Sequence, residues 1–209
     1  NNGTAGSMDA TGSNGGEAKA ANSGVVENGV GINANGEGSK AELTNSGEAN
    51  RIYGNANEGG TTSITNDGKV TGDGSAITVT DPNSGESWEE TNGILNGWAN
   101  GEGSKMELVN DGNAHISIGG ANEGGTFSFE NNGELADSFY GVAGGEGSKM
   151  DVVNNGKVGV DFQPGAENGG SASAINNGTV GRDLGSEVSS GGTVIITNHG
   201  CLLYTSDAA

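Results

Sequence analysis

Residues 145–158 read Gly-Glu-Gly-Ser-Lys-Met-Asp-Val-Val-Asn-Asn-Gly-Lys-Val, and the same order of parts returns along the whole chain. After the glycine turn, Met150 and Val152 fall on one side of an extended backbone and Asp151 on the other. The position of Met150 is held elsewhere by Ala18, Ala41, Thr62, Ile77, Met106, Phe127, Ala172 and Val194. The position of Val152 is held by Ala20, Leu43, Ile64, Val79, Leu108, Phe129, Ala174 and Ile196. Between them stand Lys19, Glu42, Ser63, Thr78, Glu107, Ser128, Ser173 and Ile195, polar in every copy but the last. Apolar residues at every second position, repeated this often, describe a strand with one buried face, and a helical period is absent.

Each strand runs into an Asn-x-Gly anchor, from Asn1-Gly3 through Asn154-Gly156 to Asn198-Gly200. Successive anchor glycines are 21, 23, 21, 17, 27, 21, 23, 22 and 22 residues apart. The two outliers compensate each other, so the spacing predicts nine coils of about 22 residues, a short one followed by a long one. Two further apolar columns lie ahead of the glycine turn. One contains Val30, Ile52, Leu95, Phe139 and Phe162, the other Ala34, Ala56, Ala99, Ala121, Ala143, Ala166 and Val188. A third follows the anchor at Val26, Ala49, Val70, Ala114, Leu135, Val158 and Val180. The fold this implies is all-β, a single-stranded parallel β-helix (a β-solenoid) with two or three short strands per coil. Nine coils at roughly 4.8 Å each make a rod about 43 Å long. Its interior is narrow, and it is best filled where Met106, Phe127, Phe129, Phe139, Met150 and Phe162 cluster.

Composition agrees with a thin-cored repeat. Of 209 residues, 43 are Gly and 27 are Asn, with 31% hydrophobic, 4% aromatic and two prolines. The net charge of -19, from 27 acids against eight Lys and Arg, excludes the basic patches that track nucleic-acid phosphates. No stretch has the length of apolar residues that a spanning helix needs, so direct membrane insertion is not expected. The glycine turns, such as Gly36-Glu37-Gly38-Ser39 and Glu58-Gly59-Gly60, supply the positive φ of sharp corners. The anchor glycines are expected to do the same.

An Asn at one corner of every coil can pair its amide with the Asn above and below, which satisfies buried amides along a stack. The expected ladder is Asn22, Asn45, Asn66, Asn83, Asn110, Asn131, Asn154, Asn176 and Asn198. Asn-Asn-Gly followed by a short Val strand, as in Asn154 to Val158 and Asn176 to Val180, resembles the parallel β-helices of bacterial secreted proteins. Autotransporter passengers and filamentous adhesins are the nearest type. The resemblance implies an extracellular or cell-surface location, an architectural and adhesive role, and partners among glycans or surface proteins.

Residues 1–200 form the expected solenoid, open at both ends, with further coils of the same chain beyond them. Residues 201–209, Cys-Leu-Leu-Tyr-Thr-Ser-Asp-Ala-Ala, abandon the repeat and resemble translated sequencing-adapter sequence, a non-native tail. That reading leaves the native part without cysteine, which fits a secreted protein lacking disulfides.

Candidate sites concentrate where the repeat is irregular. The segment between Glu86 and Asn96 carries Trp88, Glu89 and Glu90, and Trp98 follows. Aromatic rings beside carboxylates suit stacking and hydrogen bonding to a sugar. Parity with Leu95 and Ala99 points Trp98 outward. The bland reading makes Trp88 a plug over the edge left by the short coil. Glu107 and Asp151 share an outward column two coils apart, roughly 9–10 Å, but Glu42 repeats the pattern, which marks a solvated face. The turn acids Glu37, Glu58, Glu102, Glu123, Glu146 and Glu167 line an edge where calcium is a candidate counterion, although no metal site is assigned. His115 and His199 have no partners at ligand spacing. No cofactor and no catalytic residue is expected. The functional expectation is a structural and adhesive segment that displays a long acidic surface without chemistry of its own. The alternative is a carbohydrate-active β-helix with its site at the irregular coils.

Overall fold

The computed structural model describes the backbone of residues 1–80 and 87–203, and the side chains of those stretches except 77–80 and 87–90. Apart from one antiparallel pair, its strands are parallel and stacked, each pairing with its equivalent one coil away. The alternating strands read from sequence form an eight-stranded sheet from Glu17–Asn22 to Thr193–Asn198. Register is kept throughout, as in Met106↔Phe127↔Met150 and Leu108↔Phe129↔Val152. A fifteen-stranded sheet takes up the other strands. One part stacks longer strands, among them Ile52–Asn57, Ile94–Asn100, Ile116–Asn122, Phe139–Gly144 and Phe162–Glu167. The other stacks two-residue strands such as Glu48–Ala49 and Lys157–Val158. Val25–Asn35 joins the two parts, pairing with Glu48–Ala49 through its start and with Ile52–Asn57 through its end. Each regular coil therefore runs short strand, long strand, glycine turn, alternating strand and Asn corner.

The coils number eight, not nine. Thr61–Asn66 pairs directly with Lys105–Asn110, Ile64 opposite Leu108. The intervening Ala76–Thr80, read as the alternating strand of a short coil, instead pairs antiparallel with Ser87–Thr91. The apparent short and long coils are thus one coil carrying an inserted hairpin. Period-two alternation names the buried face of a strand but not its partner, and a hairpin meets the same pattern as a stacked coil. Asn83 lies outside the described residues, and its expected rung is not needed: Asn66 Nδ2 donates straight to Asn110 Oδ1 at 2.8 Å.

That bond belongs to a continuous ladder of Asn1, Asn22, Asn45, Asn66, Asn110, Asn131, Asn154, Asn176 and Asn198, each donating to the next at 2.7–2.9 Å. From Asn22 to Asn176 these side chains are buried. A second ladder runs along the glycine turns through Asn35, Asn57, Asn100 and Asn122 at 2.8–3.1 Å. There the later coil donates to the earlier one, so its amide dipoles oppose those of the first.

The anchor glycines do a different job from the one expected of them. Among the described residues, no anchor glycine has a positive φ. What excludes a side chain is the neighbouring backbone: a Cβ on Gly133 would lie 1.9 Å from the Gly112 carbonyl oxygen, and one on Gly156 2.1 Å from that of Gly133. Left-handed geometry belongs to the other turns, which alternate between two forms through the first seven coils, the eighth repeating the form of the seventh at Ser190-Gly191. Asn14-Gly15, Glu58-Gly59, Glu123-Gly124 and Asn168-Gly169 have positive φ at both residues. Each is closed by an N–H to carbonyl bond three residues back, as from Gly60 to Asn57, the pattern of a type I′ turn. Between them fall Gly36 to Ser39, Gly101 to Ser104 and Gly145 to Ser148, with glycine at the left-handed positions. The buried Ser39, Ser104 and Ser148 hydroxyls accept the N–H of Gly15, Gly59 and Gly124 in the preceding coil, so coils are clasped in pairs.

The core is continuous and thin. Phe127, Phe129, Phe139 and Phe162 are buried, and Phe129 stacks on Phe139 with ring centroids 4.7 Å apart. All six expected alanines, Ala34, Ala56, Ala99, Ala121, Ala143 and Ala166, are buried. Val188 is the exception: it keeps the register of that column opposite Ala166 but is 51% exposed. Beyond Gly200, Cys201–Leu202 pairs with Thr179–Val180, continuing the short-strand stack. An open edge of backbone donors and acceptors pairs with any extended segment that keeps its N–H groups, so this says nothing of the origin of residues 201–209.

Two mutational outcomes follow from the corner. Gly133→Ala sets a methyl against backbone that cannot rotate away and is expected to cost at least about 3 kcal/mol. Gly147→Ala, at φ +80 with its nearest contact 3.7 Å away, carries only the left-handed penalty of about 1–2 kcal/mol. Urea denaturation of both variants checks the order. In the ladder, Asn131→Ala strands the Asn110 donor and the Asn154 acceptor in the interior, at about 2–4 kcal/mol. Asn198→Ala, at an exposed end rung, is expected to cost less than about 1 kcal/mol by the same assay.

Candidate functional site

The faces of the rod differ in what they show to solvent. On the alternating sheet, the outward column holds Glu42, Ser63, Glu107, Ser128, Asp151 and Ser173 in successive coils. Lys19 and Glu42 pair at 2.7 Å between coils, with both side chains largely exposed. Their mutual hydrogen bond raises the Lys19 pKa and lowers that of Glu42. On the short-strand face, Lys157 and Glu134 pair at 2.7 Å. Glu107 and Asp151 are both exposed on the alternating sheet, in keeping with a solvated surface.

The glycine-turn edge solves its charge problem by alternation. Gly59 sits against Glu37, Gly124 against Glu102 and Gly169 against Glu146, whereas Gly101 sits against Glu58 and Gly145 against Glu123. Each column thus carries a carboxylate only at every second coil, roughly 10 Å apart. That spacing exceeds the screening length of about 8 Å at physiological salt. Among the described residues, no group of three or more acids, His or Cys is arranged to hold a metal ion.

The outer surface of the long-strand face is unlike the other two. Strand alternation places Leu95, Gly97 and Ala99 inward and Asn96 and Trp98 outward. Register then aligns Tyr53, Asn96, Ile118, Tyr140 and Gln163 in one outward column. Asn55, Trp98, Gly120, Val142, Gly165 and Glu187 form the next. Every described Tyr and Trp side chain is on this surface, while all four Phe are in the core. Trp98 points outward, as its parity requires. It is half-buried because its ring lies over Gly120 of the next coil, 3.1 Å from where a Cβ would stand.

Trp98 separates two concavities. The larger, about 650 Å³, runs from Trp98 and Ile118 past Tyr140 and Val142 to Gln163, Glu167, Glu187 and Val188. The smaller, about 360 Å³, lies toward the hairpin among Arg51, Tyr53, Asn96 and Trp98. The backbone of Trp88, Glu89 and Glu90 belongs to the hairpin, opposite Val79, Thr78 and Ile77. Their side chains lie outside the described residues, so only Trp98 of the four expected site residues is located in a cavity wall.

Sequence reasoning missed Tyr140 and what holds it. The Arg182 guanidinium grips the buried Asp161 carboxylate through Nε at 2.9 Å and through Nη2. The Tyr140 hydroxyl donates to the same carboxylate at 3.3 Å, and the Ser138 hydroxyl accepts the Asp161 N–H. Hydrogen bonding to Asp161 raises the Arg182 pKa. These partners are 21 or more residues apart, and only the coil register brings them together. His115 likewise finds a neighbour in the next coil, with Nε2 3.8 Å from Asp137 Oδ2.

At the other end, Tyr53 donates its hydroxyl to Asp9, and Arg51, with its ring neighbour Tyr53 at 6.0 Å, is 6% exposed. Burial lowers the Arg51 pKa. Burial first, then the bond to Asp9, pushes the Tyr53 phenol up to about 12. A phenol ionising later in the folded chain than in the unfolded one stabilises the fold fully below about pH 10. That contribution is lost as pH rises from about 10 through 12. Denaturation midpoints are expected to fall across this window, with a shallower fall for Tyr53→Phe. Comparison with protein-family models, with characterised proteins and with solved structures finds no match for this chain.

Proposed function

We propose that the chain is a structural and adhesive segment of a bacterial cell-surface or secreted protein, a rod that extends and displays its faces and performs no chemistry of its own. The observation that carries this reading is the division of labour between faces. The turn edge and most outward positions of the other two faces are polar, with Ile195 an exposed exception, while one face carries the rings of Trp98 and Tyr140 with Ile118 and Val142 beside a groove. A regular stack fixes that face rigidly, and surplus negative charge keeps neighbouring rods apart. Its partners are glycans or surface proteins met through this face. The resemblance to autotransporter passengers and filamentous adhesins supports the extracellular setting.

A second reading has its own observation. Glu167 and Glu187 both line the groove that holds the two rings, and paired carboxylates beside a sugar-stacking ring suit glycosidic bond cleavage. Incubation of the purified chain with neutral and acidic polysaccharides separates the two. The scaffold reading expects retention of the chain on a polysaccharide or cell-envelope matrix with no soluble product over days. Release of oligosaccharides or new reducing ends, abolished by Glu167→Gln or Glu187→Gln, would replace it with the enzymatic reading.

A further inference from the structure

We infer that the groove from Trp98 to Val188 binds an uncharged glycan chain lying along the axis of the rod. This rests on the reading of the chain as a display scaffold and names the ligand class of its ring-bearing face. The groove is lined from five successive coils, by Trp98, Ile118, Tyr140, Gln163 and Glu187 in turn. Four coil steps of roughly 4.8 Å make it about 19 Å long. An elongated trough of this kind fits several linked sugar units better than one compact small molecule. Its volume of about 650 Å³ is within the range of ligand clefts.

The lining chemistry selects the occupant. Trp98 and Tyr140 stand two coils apart on the same face and present ring surface to the C–H faces of pyranoses, while Gln163, Glu167 and Glu187 offer hydrogen-bond partners to hydroxyl groups. Among the described residues no Lys or Arg lines the groove, and the chain carries a net charge of -19, so uronate, sulfated or phosphate-bearing polymers are repelled. An extended peptide would dock by adding a strand, which needs a free sheet edge. Here Ile116–Asn122 and Phe139–Gly144, in the middle of the groove, are paired with coils on both sides and their backbone groups are consumed by those bonds, whereas Glu187–Val188 at its end pairs on one side only. Recognition therefore falls to side chains. Tyr140 is held in advance by its bond to Asp161, itself clamped by Arg182, so little ordering is left for binding to impose.

The test is calorimetric titration of the whole chain with cellohexaose, laminarihexaose, maltohexaose and chitohexaose, with oligogalacturonate as the anionic control. At least one neutral hexaose is expected to bind, its disaccharide to bind at least about tenfold more weakly, and oligogalacturonate to give no heat. Trp98→Ala and Tyr140→Ala should each weaken binding about tenfold or more, whereas Glu107→Gln on the opposite sheet should leave it unchanged. Circular dichroism confirms that each variant keeps its strands. Should Trp98→Ala fail to fold, Tyr140→Ala, at a side chain already 37% exposed, carries the test alone. The inference is overturned if no neutral hexaose binds at about 10 mM, if both ring substitutions leave binding intact, or if the anionic oligomer binds instead. Absence of binding leaves the scaffold reading standing. Binding followed by cleavage of the hexaose overturns the scaffold reading and leaves the glycan site in place.

Discussion

Everything in this molecule depends on how closely one coil can approach the next at the Asn corner. The carbonyl of each anchor glycine occupies the space that the following anchor would need for a Cβ, 1.9 Å away at Gly133 and 2.0 Å at Gly178. That approach sets the rise between coils and brings the Asn amides into reach at 2.7–2.9 Å. Each rung is worth only about 1 kcal/mol net, but a broken rung leaves a buried donor and a buried acceptor unpaired. The ladder therefore enforces register more than it adds stability. Once the corner is in register, every other column follows, because the strands on either side share one pleat.

The chain is long on backbone and short on core, and its design compensates for that. Alanine loses little side-chain entropy on burial, so columns such as Ala34 to Ala166 fill a narrow interior cheaply. The four buried Phe and the Met pair Met106 and Met150 widen the middle of the stack, where alternate coils also lock through Ser104 and Ser148. Alternation of the two turn types does electrostatic work as well. It halves the density of carboxylates along each turn column, which a chain with 27 acidic residues needs if identical coils are to sit roughly 5 Å apart. The opposed donor directions of the two Asn ladders keep amide dipoles from accumulating along the axis.

Against this background the hairpin and the long-strand face stand out as departures from economy. A hairpin of Ala76–Thr80 and Ser87–Thr91 adds nothing to the stack's own pairing, which closes without it between Thr61–Asn66 and Lys105–Asn110. Ring surface at Trp98 and Tyr140 is likewise not needed for stacking, since coils with Gly120 or Gln163 in those columns stack equally well. Features that the fold does not require are where recognition by such a rod is expected to reside.

The amino-acid sequence by itself determined the strands and their buried faces and located both kinds of corner, although the anchor glycines, read as turns of positive φ, are required by close backbone approach instead. These are properties of residues within one coil: alternation at period two, glycine where φ is positive, and an amide at a fixed offset. Even the count of coils was legible in retrospect, because Gly-x-Gly-Ser turns at Gly36, Gly101 and Gly145 alternate strictly only if the coil between Gly68 and Gly112 is single. Partnership between coils was not legible. Alternation in Ile77 to Val79 fits an antiparallel hairpin as well as a stacked strand, and spacing alone did not show that Asn66 donates straight to Asn110. The larger groove belongs wholly to the tertiary structure. Trp98 and Tyr140 are 42 residues apart, and the Asp161 and Arg182 that hold Tyr140 come from later coils. Only stacking converts those separations into neighbouring side chains, because a parallel solenoid makes its contacts between equivalent positions of different coils.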